Sequence, residues 1–226
     1  MPQPDLPRVP LSRAQVLEAA VALADTEGLD AVSMRSLSTR LGVVPMALYK
    51  HVADKEDLLS GMIDSVVASY PQPSSDLSGT AAVRARVLSA RSSVSRHPWL
   101  RRSIEQATRP TPVVLAHMDA VAGDLAAVGM SYDLIHYAMH ALGHRIWGFS
   151  SEAFSGQGTP QASDPALAAA MAQRYPNVAA VAMDSASRNP EGACDEQYEF
   201  EFTLDLLLNA IERLHESAWV SRPQRQ

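Results

Sequence analysis

The sequence lacks several features that would indicate other classes of protein. It has a single cysteine, Cys194, so a secreted scaffold held together by internal disulfides is excluded. No apolar run approaches the roughly 18 residues that a membrane-spanning helix needs. Residues 1–10 are proline-rich and lack the apolar stretch of a signal peptide. We therefore expect a cytoplasmic protein that does not associate with a membrane.

Positive charge is scarce and unevenly distributed. The net charge is −6, and the only lysines are Lys50 and Lys55. This acidic total excludes a protein that is coated with basic charge. The charged residues of positions 33–55 are Arg35, Arg40, Lys50, Lys55 and Asp54, and four positive charges minus one negative give +3. This local cluster is either an ordinary solvated face or a small footprint for a polyanion.

The hydrophobic pattern predicts an all-α protein. Alternating runs of Val, Ile and Thr are absent and alanine is abundant, which favours helices. We predict four helices in the first seventy residues, of which the first two end at Gly28 and Gly42. The third should cover about 45–51, two turns that need packing partners to be stable. The residues expected at the four helix N-termini are Ser12, Ser33, Pro45 and Asp54.

Longer helices are predicted after a polar segment rich in proline and serine. One should extend over about 131–149, and the last over about 195–218, whereas 155–164 is predicted to be a loop and 184–195 to be poorly ordered. The last helix carries an apolar stripe that is either core or a subunit interface. The stripe consists of Phe200, Leu204, Leu207, Ile211 and Leu214, and Leu206 and Leu208 widen it.

These patterns divide the chain into two main parts, which we call the head and the body. The predicted division is a flexible arm over 1–11, the head over 12–70, a linker over 71–79, the body over 80–218 and a tail over 219–226.

The head contains a helix, a tight turn and a second short helix, the geometry of a helix-turn-helix motif. Four segments in and around this motif are informative: 33–37 (SMRSL), 41–43 (LGV), 47–52 (ALYKHV) and 54–59 (DKEDLL). Together they resemble the DNA-binding domain of the TetR family of bacterial transcriptional regulators, over about residues 12–66. The resemblance implies a three-helix helix-turn-helix domain that binds an operator in double-stranded DNA.

The resemblance also assigns roles to residues of the head. Arg35 matches a family position that contacts a base or a phosphate. Lys55 matches a position that contacts a phosphate, and the N-terminus of its helix strengthens that contact. The remaining matches are Pro45, Met46 and Ala47, which enter the major groove, and Tyr49, Lys50 and His51, which grip the backbone. Pro45 and Ala47 offer no side-chain hydrogen bond. We therefore expect the base sequence to be recognised more by apolar contacts to thymine methyls, together with Arg35. Leu48 and Val52 should be core.

The body resembles the regulatory domain of the tetracycline-repressor branch. The matching segments are 97–100 (HPWL), 124–131 (from Asp-Leu to Gly-Met-Ser) and 200–208 (FEFTLDLLL). The resemblance implies a larger all-helical domain for ligand binding and dimerisation. The homodimer would form through helices at about 131–149 and 195–218, and Leu207→Glu or Ile211→Glu should break it. The effector pocket would lie between linker and bundle.

The expected pocket departs from that of the tetracycline repressor. Residues 105–110 (EQATRP) stand where that repressor has His-Leu-Gly-Thr-Arg-Pro, so Glu105 replaces a histidine. We therefore expect a small-molecule effector other than tetracycline. Glu105 and Arg109 share a helical face and could pair. The expected effector-binding residues are Glu105, Thr108, Arg109, His136, Met139, His140, Trp147 and Glu152.

His136, His140 and His144 recur every four residues and lie along one drifting stripe of a helix. They could contact a ligand, place two imidazoles on a metal, or lie near the dimer seam. We expect no cofactor. The leading hypothesis is a repressor that an effector releases from a palindromic operator, and an activator of the same fold is the alternative. A helical metal-dependent enzyme using this stripe with Glu105 or Glu152 is disfavoured, because nucleophile–base motifs and phosphate loops are absent.

Overall fold

The computed structural model describes residues 10–107, 109–147, 172–188 and 196–221, and within these ranges all regular structure is helical. The helices are α1 Arg13–Glu27, α2 Met34–Leu41, α3 Pro45–Leu48, α4 Lys55–Ala68, α5 Gly79–Arg96, α6 Trp99–Gln106, α7 Pro112–Ala127, α8 Tyr132–Trp147, α9 Pro176–Arg188 and α10 Glu196–Glu216. No helix in this part of the chain has the length and apolarity required to cross a bilayer. The predicted all-α fold is confirmed.

The predicted helix ends of the head are confirmed by their capping contacts. At Ser12, the hydroxyl accepts a hydrogen bond from the Gln15 N–H at 3.2 Å, and the Gln15 side chain accepts one from the Ser12 N–H at 2.9 Å. Ser33 caps α2 in the same reciprocal way. Gly42 ends α2 with φ +65°, a left-handed conformation that favours glycine. This turn lets the chain change direction before α3 begins.

The third helix is shorter than predicted. It ends at Leu48, and residues 49–51 form a turn in which the His51 N–H donates to the Leu48 carbonyl at 2.8 Å. The prediction of a helix to residue 51 was therefore wrong. The chain must leave the helix early because Asp54 already caps α4, its side chain accepting the Asp57 N–H at 2.8 Å.

The first hydrophobic core unites the head with the start of the body. Leu48 and Val52 are 0% and 1% exposed, as predicted. The core also takes in Ala90 of α5 and Trp99 and Leu100 of α6. Residues 71–79 therefore link head and body along the chain, but packing continues across them.

The second core is formed by α5, α7, α8 and α10. The buried face of α10 consists of Phe200, Leu204, Leu208 and Ile211, each at most 5% exposed. The predicted stripe had Leu207 as a member and Leu208 only as a residue that widens it, whereas the structure buries Leu208 and leaves Leu207 half-buried. The buried residues follow spacings of 4, 4 and 3, as in a straight helix of 3.6 residues per turn. Since Ile211 belongs to the chain's own core, Ile211→Glu would test folding and not assembly.

An ion-pair cluster flanks the inward face of α10. The Arg84 guanidinium of α5 donates to Asp205 at 2.6 Å and to Glu201 at 2.8 Å. Both carboxylates lie beside the buried stripe, so this fork joins α10 to α5 in the rotation that buries the apolar face.

Two further expectations concern the segment before α10. Residues 184–188 continue α9, so the prediction that they are poorly ordered was wrong. The helix persists because its first residue is Pro176, which suits a first turn, and the next proline comes only at position 190. The predicted loop at 155–164 and residues 189–195 lie outside the described residues, as do residues 1–9 and 222–226.

Candidate nucleic-acid interface and ligand cavity

The residues expected to contact DNA lie on the outer surface of the head. Met46 and Tyr49 are 71% and 47% exposed. The other exposed members are Arg35, Pro45, Lys50 and Lys55, while Ala47 and His51 are half-buried. Val44, which was not singled out from the sequence, is 68% exposed beside Pro45. Its position directly before the helix-starting proline is the signal that could have indicated it.

The positive charges of this surface are uncompensated within the described part of the chain. There, Arg35, Lys50 and Lys55 have no carboxylate within 4 Å, whereas most arginines of the body form ion pairs. Lys55 is also the first residue of α4, where the helix dipole attracts anions. The surface therefore combines free cations with exposed apolar groups, which suits a phosphate backbone and the base edges beside it.

A partly exposed set of hydrogen bonds, which we call the clamp, holds the loop that carries Lys50 and His51. Arg13 of α1 donates to the His51 carbonyl at 2.7 Å and to both oxygens of Asp57, at 2.7 and 2.9 Å. Asp57 also accepts the Ala53 N–H at 2.9 Å. The hydrogen bonds from Arg13 and then from Ala53 lower the pKa of Asp57 to about 2. The clamp ties α1, the loop and α4 into one frame.

A cavity of about 780 Å³ lies where the head meets the body. Five helices contribute to its walls, which are mostly apolar. The lining residues are Ser60, Ile63 and Val67 of α4; Tyr70; Val87 of α5; Ile104 and Glu105 of α6; Ala107, Arg109, Pro110 and Thr111; Val114, His117, Met118 and Val121 of α7; and His136, Met139, His140, Leu142 and Gly143 of α8.

The cavity brings together five of the eight residues expected to bind the effector: Glu105, Arg109, His136, Met139 and His140. Of the other three, Thr108 and Glu152 lie outside the described residues, and Trp147 ends α8 with its side chain also outside them. The cavity is thus in the region that the sequence indicated, between linker and bundle.

The polar contacts of these residues differ in part from expectation. Glu105 pairs with Arg101 at 3.0 Å and not with Arg109, because α6 ends at Gln106 and Arg109 leaves the helical face. The imidazoles of His136 and His140 meet edge to face with centroids 4.7 Å apart. No group of three or more metal-binding side chains occurs in the described part of the chain.

Sequence reasoning missed the wall contributed by the head. Ser60, Ile63, Val67 and Tyr70 follow one another at spacings of 3, 4 and 3, so they lie along one side of α4 and its C-terminal extension. His117 of α7 was also missed, and its only signal is a polar ring on a largely apolar helix.

Polar contacts join head and body around the cavity. Asp25 of α1 accepts a hydrogen bond from the Trp99 indole N–H at 2.6 Å, and the same oxygen lies 2.8 Å from Nδ1 of His97. Asp64 of α4 accepts a hydrogen bond from Thr111, which caps α7. The helices that form the cavity are therefore attached directly to the helices that frame the exposed surface.

Two family models match the chain. The model of bacterial regulatory proteins of the tetR family matches residues 16–62, and the model of the tetracyclin repressor-like C-terminal domain matches residues 70–214. The HTH-type transcriptional repressor DrrR1 of Streptomyces coeruleorubidus is 38% identical over 42% of this chain and 36% of its own length. An HTH-type transcriptional regulator of Saccharopolyspora erythraea is 34% identical over 53% of this chain and 51% of its own length. The chain therefore spans about half or less of the length of these relatives.

Solved structures share the fold along most of the chain. The regulator SCO7222 of Streptomyces coelicolor, described as a TetR, is 28% identical, with a TM-score of 0.69 and coverage of 91% of this chain and 100% of its own. ActR of Streptomyces coelicolor in complex with actinorhodin is 24% identical, with a TM-score of 0.72 and coverage of 93% and 99%. The latter similarity shows the fold alone.

Proposed function

The chain belongs to the TetR family of bacterial regulatory proteins, and we propose that it is a cytoplasmic transcriptional repressor that a small molecule releases from a palindromic operator. The observation that carries this proposal is the position of α4. Lys55 begins this helix on the exposed surface, and Ile63 and Val67 of the same helix line the cavity. Twelve residues separate Lys55 from Val67, about 18 Å of helix, so a ligand that displaces the wall also displaces the surface.

The proposed mechanism is linkage between two binding sites. A ligand that fits the cavity better when α4 is displaced stabilises a state in which the two heads of a dimer are spaced incorrectly for the operator. Operator affinity then falls by the ratio of ligand affinities for the two states. The name of the relative DrrR1 as a repressor and the complex of ActR with actinorhodin support this assignment.

We propose that the homodimer forms through the outer face of α10 together with α8. Tyr198, Phe202 and Leu206 recur every four residues on α10 and are 69%, 57% and 52% exposed. A continuous apolar stripe of this kind marks an interaction surface on a water-facing helix. Two-fold symmetry then makes the two reading heads identical, so the half-sites should be inverted copies.

The test begins with genomic selection of the DNA fragments that the full chain binds, followed by a search for compounds that release the recovered operator. Lys50→Ala combined with Lys55→Ala should abolish selection, whereas Arg174→Ala, which removes an exposed charge outside the head, should not. A reporter gene behind the operator distinguishes the two signs of regulation, since a repressor lowers its expression and an activator raises it.

Calorimetry with the releasing compound tests the coupling. Because the coupling free energy is reciprocal, saturating operator should weaken binding of the compound by the same factor by which the compound weakens operator binding. Equal affinity for the compound with and without operator would show that the cavity does not regulate DNA binding.

A further inference from the structure

We propose that Asp25 is a positioning residue that fixes the orientation of the head relative to the body, and that it thereby selects the spacing between the two half-sites of the operator. Asp25 lies in the last turn of α1 and contacts the body. This inference rests on the proposed function, because half-site spacing has a meaning only for a dimer on a two-part operator.

The first observation is that one carboxylate oxygen of the head contacts both sides of a turn in the body. Oδ1 of Asp25 accepts a hydrogen bond from the Trp99 indole N–H at 2.6 Å and lies 2.8 Å from Nδ1 of His97, residues 74 and 72 positions away in the chain. His97 and Trp99 flank Pro98, where α5 ends and α6 begins. We call these contacts of Asp25 the latch.

The second observation is that the latch is shielded from water. Trp99 is 5% exposed, and the side chains of His97 and Asp25 are 18% and 27% exposed. Hydrogen bonds to a charged acceptor are stronger than neutral ones, and shielding strengthens them further. Arg102 of α6 also reaches the head, at 3.6 Å from Asp30, but these side chains are 59% and 89% exposed. Such a surface pair contributes little, so the latch is the stronger of the two contacts.

Apolar packing at this boundary does not by itself fix an angle. Trp99 and Leu100 of α6 share the first hydrophobic core with Leu23 and Ala24 of α1. Burial of apolar surface is non-directional, so it holds the two parts together without specifying their orientation. A hydrogen bond restricts both a distance and an angle. The latch therefore adds the direction that the core lacks.

A second polar attachment lies beyond the other end of α6. There Asp64 of α4 accepts a hydrogen bond from Thr111, which caps α7. Attachment at one point leaves the head free to turn about that point, whereas attachment at two points defines its orientation. Without the latch, the head should stay folded and attached to the body but turn more easily about the contact between Asp64 and Thr111.

The orientation of the head determines which operators a dimer can span. Inserting one base pair between the half-sites moves one of them by about 3.4 Å and rotates it by roughly 35° around the duplex. The heads must turn relative to the body to follow this change, and turning breaks the latch. Asp25 therefore penalises operators of the wrong spacing without contacting DNA.

The test compares three kinds of DNA by fluorescence anisotropy: the operator recovered by genomic selection, versions with one base pair inserted or removed between the half-sites, and a single half-site. The ratio of affinities for the correct and altered spacings should fall roughly tenfold in Asp25→Ala, the worth of one hydrogen bond to a charged group. Asp25→Asn keeps a neutral acceptor oxygen and should lower the ratio only about threefold. Affinity for the single half-site should be unchanged in both variants.

Two further variants separate the latch from its surroundings. Arg102→Ala removes the exposed pair at the same boundary and is the matched control, so it should leave the ratio unchanged. Trp99→Phe removes the indole donor but keeps an aromatic ring in the core, and should lower the ratio as Asp25→Ala does. Combining Asp25→Ala with Trp99→Phe should lower the ratio no further than Asp25→Ala alone, because both remove the same hydrogen bond.

The outcomes distinguish this inference from the proposed function. An unchanged spacing preference in Asp25→Ala would overturn the inference and leave the dimeric regulator intact. Equal weakening on the single half-site and on the complete operator would also overturn it, because Asp25 would then act on the fold of the head. A wild type that binds one half-site as tightly as the complete operator would reject the dimeric operator on which both proposals depend.

Discussion

The two hydrophobic cores are assembled over different distances along the chain. The first draws on residues 16–70 and on only three buried positions beyond them, Ala90, Trp99 and Leu100. The second joins segments at 83–142 to the last helix at 200–211. The first core is thus determined mainly by local capping and spacing, whereas the second depends on how α10 is rotated against helices about a hundred residues away. The cavity lies at the junction of the two, with walls from both sides.

The largest expected effect comes from breaking the second core. Leu204 is 0% exposed at the centre of the buried face of α10. Leu204→Glu should cost about 4 kcal/mol or more, because it buries a charge without a partner. Circular dichroism at neutral pH should show that the variant has lost most of its helical signal, or has a much lower free energy of unfolding in a urea titration. A variant that unfolds within about 1 kcal/mol of the wild type would contradict the assignment of Leu204 to the core.

The next effect distinguishes the two faces of α10. Leu206 is 52% exposed and lies outside the buried stripe. Leu206→Glu should therefore leave the fold intact but place two like charges in the proposed dimer interface. Sedimentation should give a folded monomer, and operator affinity should fall at least about tenfold because only one head then binds. Leu204→Glu serves as the contrast on the same helix. A folded variant that remains dimeric would remove this face from the interface.

Sequence reasoning was accurate at the helix ends of the head and only partly accurate at the inward face of α10. The caps at Ser12 and Ser33 and the turn at Gly42 were predictable, because each depends on residues within a few positions. On the inward face of α10, the predicted stripe took Leu207 as a member and Leu208 only as a residue that widens it. Three consecutive leucines offer apolar side chains on adjoining faces, and which of them is buried depends on packing against α5, α7 and α8, far away in the chain.

The candidate site was predictable to a similar, partial extent. Family resemblance and the spacing of the histidines indicated Glu105 of α6 and His136, Met139 and His140 of α8, which line the cavity. It did not indicate Tyr70 or His117, because an unpaired buried hydroxyl becomes visible only once the surrounding helices are in place. The clamp of Arg13 and Asp57 joins residues 44 positions apart, so no local pattern could reveal it.

A smaller effect tests whether the head depends on that clamp. The folded pKa of Asp57 is about 2, below its ordinary value of 3.8. Because the pKa is lowered in the folded protein, the clamp's full contribution to the free energy of unfolding is present above about pH 4. That contribution is lost as the pH falls toward 2. Because Asp57 is 35% exposed, Asp57→Asn should cost only about 1 kcal/mol at pH 7. Urea titrations should show the difference from wild type shrinking below pH 4.

The exposed Asp119→Asn on α7 is the matched control for the clamp and should show little difference at either pH. A constant difference between Asp57→Asn and the wild type from pH 7 to pH 2 would mean that charge on Asp57 does not stabilise the head.

The smallest expected effect separates the exposed surface from both cores. Lys55 is exposed at the first residue of α4, so Lys55→Ala removes no packing and should leave the free energy of unfolding unchanged. If the lysine contacts one phosphate, the variant should bind every DNA sequence more weakly, and the slope of log affinity against log salt should fall by about 0.9. Base preference should stay the same, because phosphates carry no sequence information. Titrations of operator and unrelated DNA at several salt concentrations measure both quantities. An unchanged slope would remove Lys55 from the interface, and a changed base preference would show that Lys55 acts through the recognition helix instead.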